Sequence, residues 1–128
     1  MVRSFELFFD KQTGPSIELG VNNDVLDLHN FANFDRIEYE VEAGIYLTWK
    51  PSRHNQFCFE GNAIKNATLF FTGKTQFNVV GTDSEDGRDL EHFEFEPLPD
   101  GRIDAKFYFF SEMKITIRAD KVFAIIEQ

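Results

Sequence analysis

The stretch "DLEHFEFEPLPDGRIDAKFYFF", residues 89–110, decides the fold. In its first half the residue types alternate with period two. His92, Glu94 and Glu96 project from one side of an extended strand, and Phe93 and Phe95 project from the other. Pro97, Pro99, Asp100 and Gly101 then punctuate the chain, because proline presets a turn dihedral and glycine accepts a positive one. Alternation resumes at once in "RIDAKFYFF". Two strands joined over so few residues are antiparallel neighbours, since a parallel connection needs a longer crossover.

The same pattern extends outward in both directions. In "RIEYEVEAGIYLTW" Ile37, Tyr39 and Val41 share one face of a strand, and Arg36, Glu38, Glu40 and Glu42 share the wet one. After Gly44, residues Ile45, Leu47 and Trp49 line one face of the next strand. "ATLFFTG" at 67–73 and "TQFNVVG" at 75–81 read as two strands of a hairpin turning at Gly73 and Lys74. "KITIRA" and "KVFAIIE" close the chain. The one helical spacing lies in "NNDVLDLHNFANFD", where Asn23 or Asp24 caps and Val25, Leu28 and Ala32 recur, predicting a short helix near residues 24–33. The expectation is a single all-β domain over residues 1–128. It is an antiparallel β-sandwich or flattened barrel of about eight to ten short strands, because a long antiparallel sheet twists until it splits or closes.

Sixteen phenylalanines against one tryptophan and three tyrosines supply the packing material. The Phe-x-Phe pairs Phe57/Phe59, Phe93/Phe95 and Phe107/Phe109 place rings on a shared interior layer. Each ring fully buried is worth about 1.5–3 kcal/mol, more than a surface ion pair.

A formal charge of -9 argues against nucleic acid and anionic membranes, both of which require clustered Lys and Arg; it leaves a basic protein partner open, and equally suits a soluble protein with no specific partner. Cys58 is the only cysteine, so the chain forms no internal disulfide. Its flanking phenylalanines suggest a partly buried, protonated thiol. With no signal-like leader and no apolar run of membrane-spanning length, the expected setting is the cytoplasm.

Candidate chemistry is sparse, and no catalytic residue, metal ligand set or cofactor site is expected. Alternate side chains on a strand stand about 6.6 Å apart, so His92, Glu94 and Glu96 bind a metal only if a neighbouring strand adds ligands. The favoured reading is a solvated face, with an interface role open. "TDSEDGRD" has calcium-like acid density, but Gly87 is misplaced for an EF-hand that begins at Asp83, and a solvated hairpin loop fits better. "GKT" at residues 73–75 lacks the earlier glycine of a phosphate loop and reads as a turn. Trp49, Lys50, Pro51, Ser52, Arg53 and His54 combine a ring, a proline turn and donors in a composition useful at an interface, although the favoured reading of Trp49 is that it completes the core at the end of its strand.

The strand ending in "YLTW", the loop "KPSRHNQ", the strands "FCFEG" and "ATLFFTGKTQFNVVG" and the closing "FYFFSEMKITIRADKVFAII" resemble the small acidic all-β immunity proteins of bacterial polymorphic and contact-dependent toxin systems. The resemblance spans most residues after Asp35 and carries over no functional residue. It implies a noncatalytic inhibitor that covers a basic toxin. Glu38, Glu40, Glu42, Asp83, Glu85, Asp86, Asp89, Glu94 and Glu96 are then the acidic residues to test, with Trp49, Arg53, His54 and His92 as further binding candidates. Two other readings stand beside it: a small-molecule or carbohydrate-binding sandwich that uses Trp49, and a homo-oligomer whose phenylalanine-rich sheet is covered by a second copy.

Overall fold

The computed structural model describes residues 1–53 and 57–128. Their strands are β1 (Val2–Leu7), β2 (Gln12–Gly14), β3 (Glu18–Val21), β4 (Asp24–Asp27), β5 (Ala32–Glu40), β6 (Gly44–Pro51) and β7 (Cys58–Phe59). They continue with β8 (Asn62–Ala63), β9 (Asn66–Thr72), β10 (Gln76–Val80), β11 (Leu90–Pro97), β12 (Ile103–Phe109), β13 (Lys114–Ala119) and β14 (Lys121–Glu127). Ten of them build two five-stranded antiparallel sheets, ordered β1-β14-β9-β6-β5 and β10-β13-β12-β11-β2. Both sheets have free ends, so the fold is an open sandwich and the flattened-barrel alternative is not adopted. The remaining four strands form the small hairpins β3-β4 and β7-β8.

Alternation works as the residue pattern requires. On β6, Ile45, Leu47 and Trp49 are buried, and all six phenylalanines of the three Phe-x-Phe pairs lie inside. The sheets meet through aromatic rings: Phe34 packs on Phe109 at 4.9 Å, Trp49 on Phe107 at 6.1 Å and Phe71 on Phe107 at 6.4 Å. The buried residues form one cluster that includes both sheets and both hairpins.

Four expectations are corrected. The run at 67–81 is not a hairpin, because β9 pairs with β14 and β6 in the first sheet whereas β10 pairs with β13 in the second. Only residues 73–75 separate β9 from β10, and only Asp120 separates β13 from β14. A two-stranded ribbon therefore turns a corner from one sheet into the other, with Thr72 paired to Lys121 on one side of it and Gln76 to Arg118 on the other. Asp120 holds the corner: its Oδ2 accepts from Lys74 N at 2.8 Å and its N donates to the Thr72 carbonyl at 3.1 Å. Gly73, at φ +89°, leaves that carboxylate room, since a Cβ there would sit 2.4 Å from Asp120 Oδ2.

The helix expected near residues 24–33 does not form. Residues 24–27 are β4, paired with β3, and a single turn follows. Asp27 Oδ1 accepts from the backbone N–H groups of His29 and Asn30, a local alternative to helical bonding that aspartate favours. Residues 82–89 form no hairpin loop either. They carry the chain over two strands from β10 to β11 through one 3-10 turn (Glu85–Gly87), and with β11, β12 and β13 complete a Greek key. Lastly, the Cys58 thiol is exposed, because Phe57 and Phe59 take the inward positions and alternation turns Cys58 outward.

Glu60 ties the small hairpins to the first sheet. Its carboxylate pairs with Arg3 and accepts from Asn22 Nδ2 at 2.8 Å, while its backbone N–H donates to Asp24 Oδ2 at 2.8 Å. The Arg3 guanidinium lies over Phe5 and Phe59 at 5.0 and 5.2 Å. These contacts hold both carboxyls below their ordinary values, Glu60 chiefly through Arg3 and Asp24 chiefly through the Glu60 N–H. Groups with depressed values stabilise the fold fully above the ordinary carboxylate range of about 4, and that contribution disappears as pH falls through the folded values. The Asp24→Asn/Glu60→Gln variant is therefore expected to lose stability less steeply than wild type in acid titrations followed by circular dichroism. Parallel acid limbs would show that the two carboxyls contribute nothing to pH dependence.

Candidate functional site

The outer face of the first sheet carries an arrangement that only strand register creates. Glu38 on β5 lies opposite Tyr46 on β6, Tyr46 opposite Phe70 on β9, Phe70 opposite Phe123 on β14, and Phe123 opposite Glu6 on β1. A single row thus crosses all five strands with aromatic rings at its centre and carboxylates at both ends. Tyr46 and Phe70 stack at 4.3 Å with planes 13° apart, and Phe70 and Phe123 lie 6.4 Å apart. All three rings are half-buried on the solvent side of the sheet.

The β5 end of the row is the more acidic. Glu38 and Glu40 are exposed, and Glu42 follows in the turn beyond the strand at φ +70°, so Glu42 and Val41 leave the alternation expected for them. Arg36 bridges Glu38 and Asp35, with 2.6 Å contacts to each, and Lys50 lies 3.6 Å from Asp35. Those carboxylates raise the Arg36 value further, Glu38 first. Burial raises the Tyr46 phenol, and the Glu40 charge beside it adds to the effect. The opposite end is balanced by Lys121, 3.6 Å from Glu6.

The expected site residues do not converge. His92, Glu94 and Glu96 share the outer face of the second sheet, on the far side of the sandwich from Glu38 and Glu40, and each belongs to a row that contains a cation. His92 faces Tyr108, which faces Lys114, whose Nζ lies 4.9 Å from the phenol ring. Glu94 faces Lys106, and Glu96 faces Asp104, itself 3.6 Å from Arg118. Cross-strand charge balance of this kind makes a solvated face. His92 Nε2 is 3.4 Å from Glu94 Oε1, and no group of three or more metal-ligating side chains exists among the described residues.

Asp83, Asp86 and Asp89 lie in the crossover between β10 and β11, with Glu85 in its 3-10 turn. Asp83 accepts from Arg88 Nε and Nη2 at 2.9 and 2.8 Å, and this pairing lowers its value. Arg53 is exposed in a turn, and His54 lies outside the described residues. Trp49 is 2% exposed and belongs to the core. It meets a cleft of about 260 Å³ shared with His29, Arg88, Asp89 and Phe110. At that burial the Trp49 ring presents no open face on which a sugar could stack.

Sequence reasoning missed Tyr46, Phe70 and Phe123, whose only signal was that each stands on the polar parity of an otherwise apolar strand. No protein-family description, curated protein or solved structure matches the chain. Among the described residues no helix is long and apolar enough to cross a membrane.

Proposed function

We propose that the chain is a noncatalytic protein-binding domain that holds a basic partner against the outer face of its first sheet, in the manner of an immunity-type inhibitor that covers a toxin. The row Glu38–Tyr46–Phe70–Phe123–Glu6 carries this reading. Aromatic residues at the centre of a surface and charges at its rim are the anatomy of protein interfaces, where rings supply most of the affinity and rim charges guide encounter. The formal charge of -9 favours a basic partner and disfavours nucleic acid.

The test uses wild type, Phe70→Thr and Glu38→Gln/Glu40→Gln/Glu42→Gln as parallel baits in native lysate. A discrete basic protein is expected on wild type, released by added salt and absent from Phe70→Thr. Once it is isolated, the triple variant should bind it about tenfold more slowly at low salt, with the difference closing as salt screens the charges. Capture that neither variant alters, or no capture at all, removes this face from the interface.

A further inference from the structure

The four outer strands of the two sheets are not equally protected. Proteins blunt sheet edges with charges, bulges or very short strands, because an unpaired edge is a template for another chain. The edge strand β1 carries Arg3 and Glu6. The β5 edge has a register break between Phe34 and Arg36 besides its charges, and β2 is three residues long. β10 has none of these devices. Its sequence, "QFNVV", is uncharged, pairs only with β13 among the described strands, and is exposed along its whole length. Phe77 and Val79 stand in register with the fully buried Ile117 and Ile115, yet they are 44% and 43% exposed. These two residues occupy the core-facing side where the core has run out. Phe77 there touches Tyr39 at 5.0 Å, itself 53% exposed.

We infer that β10 pairs antiparallel with β10 of a second copy and joins the two second sheets into one continuous ten-stranded sheet. Charge selects this edge, since a copy approaching β1 or β5 meets charged side chains on a chain of net charge -9, whereas β10 presents none. The length of the strand selects the register. A two-fold axis through Asn78 pairs all five residues, setting Phe77 against Val79 twice, Gln76 against Val80 twice and Asn78 against itself. An axis perpendicular to the sheet keeps the Phe77, Val79 and Tyr39 side chains of both copies on one side, where they cover each other. Lys74 of each copy then ends beside the Thr82–Asp83 segment of the other, so the charges flanking the strand are opposite in sign. The outer face of the first sheet stays free for a partner.

The contact is small, which places it among interfaces that dissociate on dilution, and the like net charges oppose it, so added salt should tighten it. Salt therefore acts here in the sense opposite to its effect on a basic partner. Sedimentation of the full chain is expected to show a mass rising with concentration from 14.9 kDa towards twice that value and no further, earlier at higher salt. Val79→Lys should weaken the dimer at least tenfold. That variant also lowers the net negative charge, which would strengthen any assembly made elsewhere on the molecule. If Val79→Lys does not fold, Val80→Lys on the other face of the same strand replaces it. A mass of 14.9 kDa at every concentration, growth beyond a dimer, or dimerisation unchanged in the lysine variant overturns the proposal.

Discussion

Replacing Phe107 with alanine is expected to cost about 3–5 kcal/mol, a large part of the roughly 5–15 kcal/mol that holds a domain together. The ring has no exposed surface and lies where the sheets meet. Phe95 packs edge-on against it at 5.7 Å from its own sheet, while Trp49 and Phe71 reach it from the other. Truncation removes the ring's transfer energy and leaves a cavity whose walls belong to two different sheets. Those walls cannot collapse without shifting one sheet against the other. Urea unfolding measures the loss. Phe77→Ala is the comparison, since that ring is nearly half exposed and its removal should cost less than about 1.5 kcal/mol. Equal losses from the two substitutions would mean that Phe107 is not a shared keystone of the sheets.

The contrast between Phe107 and Phe77 also marks how far the fold was legible in the sequence. Period-two alternation located the inward side of β6, β11 and β12, because a wet face and a dry face leave that signature whichever strands are neighbours. It could not tell which sheet a strand joins. "ATLFFTGKTQFNVVG" has the composition of a hairpin, and it becomes a corner only because Asp120, far along the chain, bonds the Lys74 N–H and fills the space beside Gly73. Nor does alternation fix the burial of Phe77. Its parity is correct, and its burial depends on how far the opposite sheet extends. At residues 24–33 helical spacing lost to the Asp27 side chain, which caps its own turn, and to the pairing of β4 with β3.

The candidate site was less legible still. Glu38 and Glu40 could be placed on a common wet face from alternation alone. Grouping them with Asp83, Asp86, Asp89, Glu94 and Glu96 followed from composition, and the structure distributes these acids between opposite faces and a crossover. The aromatic row needs residues 6, 38, 46, 70 and 123 in line, and that alignment is a product of four strand registers. Nothing local in the sequence encodes it.

The other large effect is expected at Gly81, and a second glycine isolates its cause. Gly81 follows β10 at φ +90°, and a Cβ there would lie 2.0 Å from the Glu112 carbonyl oxygen and 2.9 Å from its carbon. Both atoms are backbone of the turn between β12 and β13, held in place by the Glu112 N–H bond to the Phe109 carbonyl and the Phe109 N–H bond to the Met113 carbonyl. No side-chain rotation relieves the overlap. Gly101, in the turn between β11 and β12, has nearly the same dihedral, φ +88°, with nothing within 4 Å of its added Cβ. Gly101→Ala should therefore cost only the strain of a left-handed alanine, on the order of 1–3 kcal/mol. Gly81→Ala should cost that and more, since either β10 or the β12–β13 turn must move. Chemical denaturation of the two variants gives the overlap by difference. Equal losses would show that the turn yields freely. A larger loss at Gly81, accompanied by weaker self-association, would place the movement in β10 itself, because displacing that strand disturbs the edge proposed to pair with a second copy.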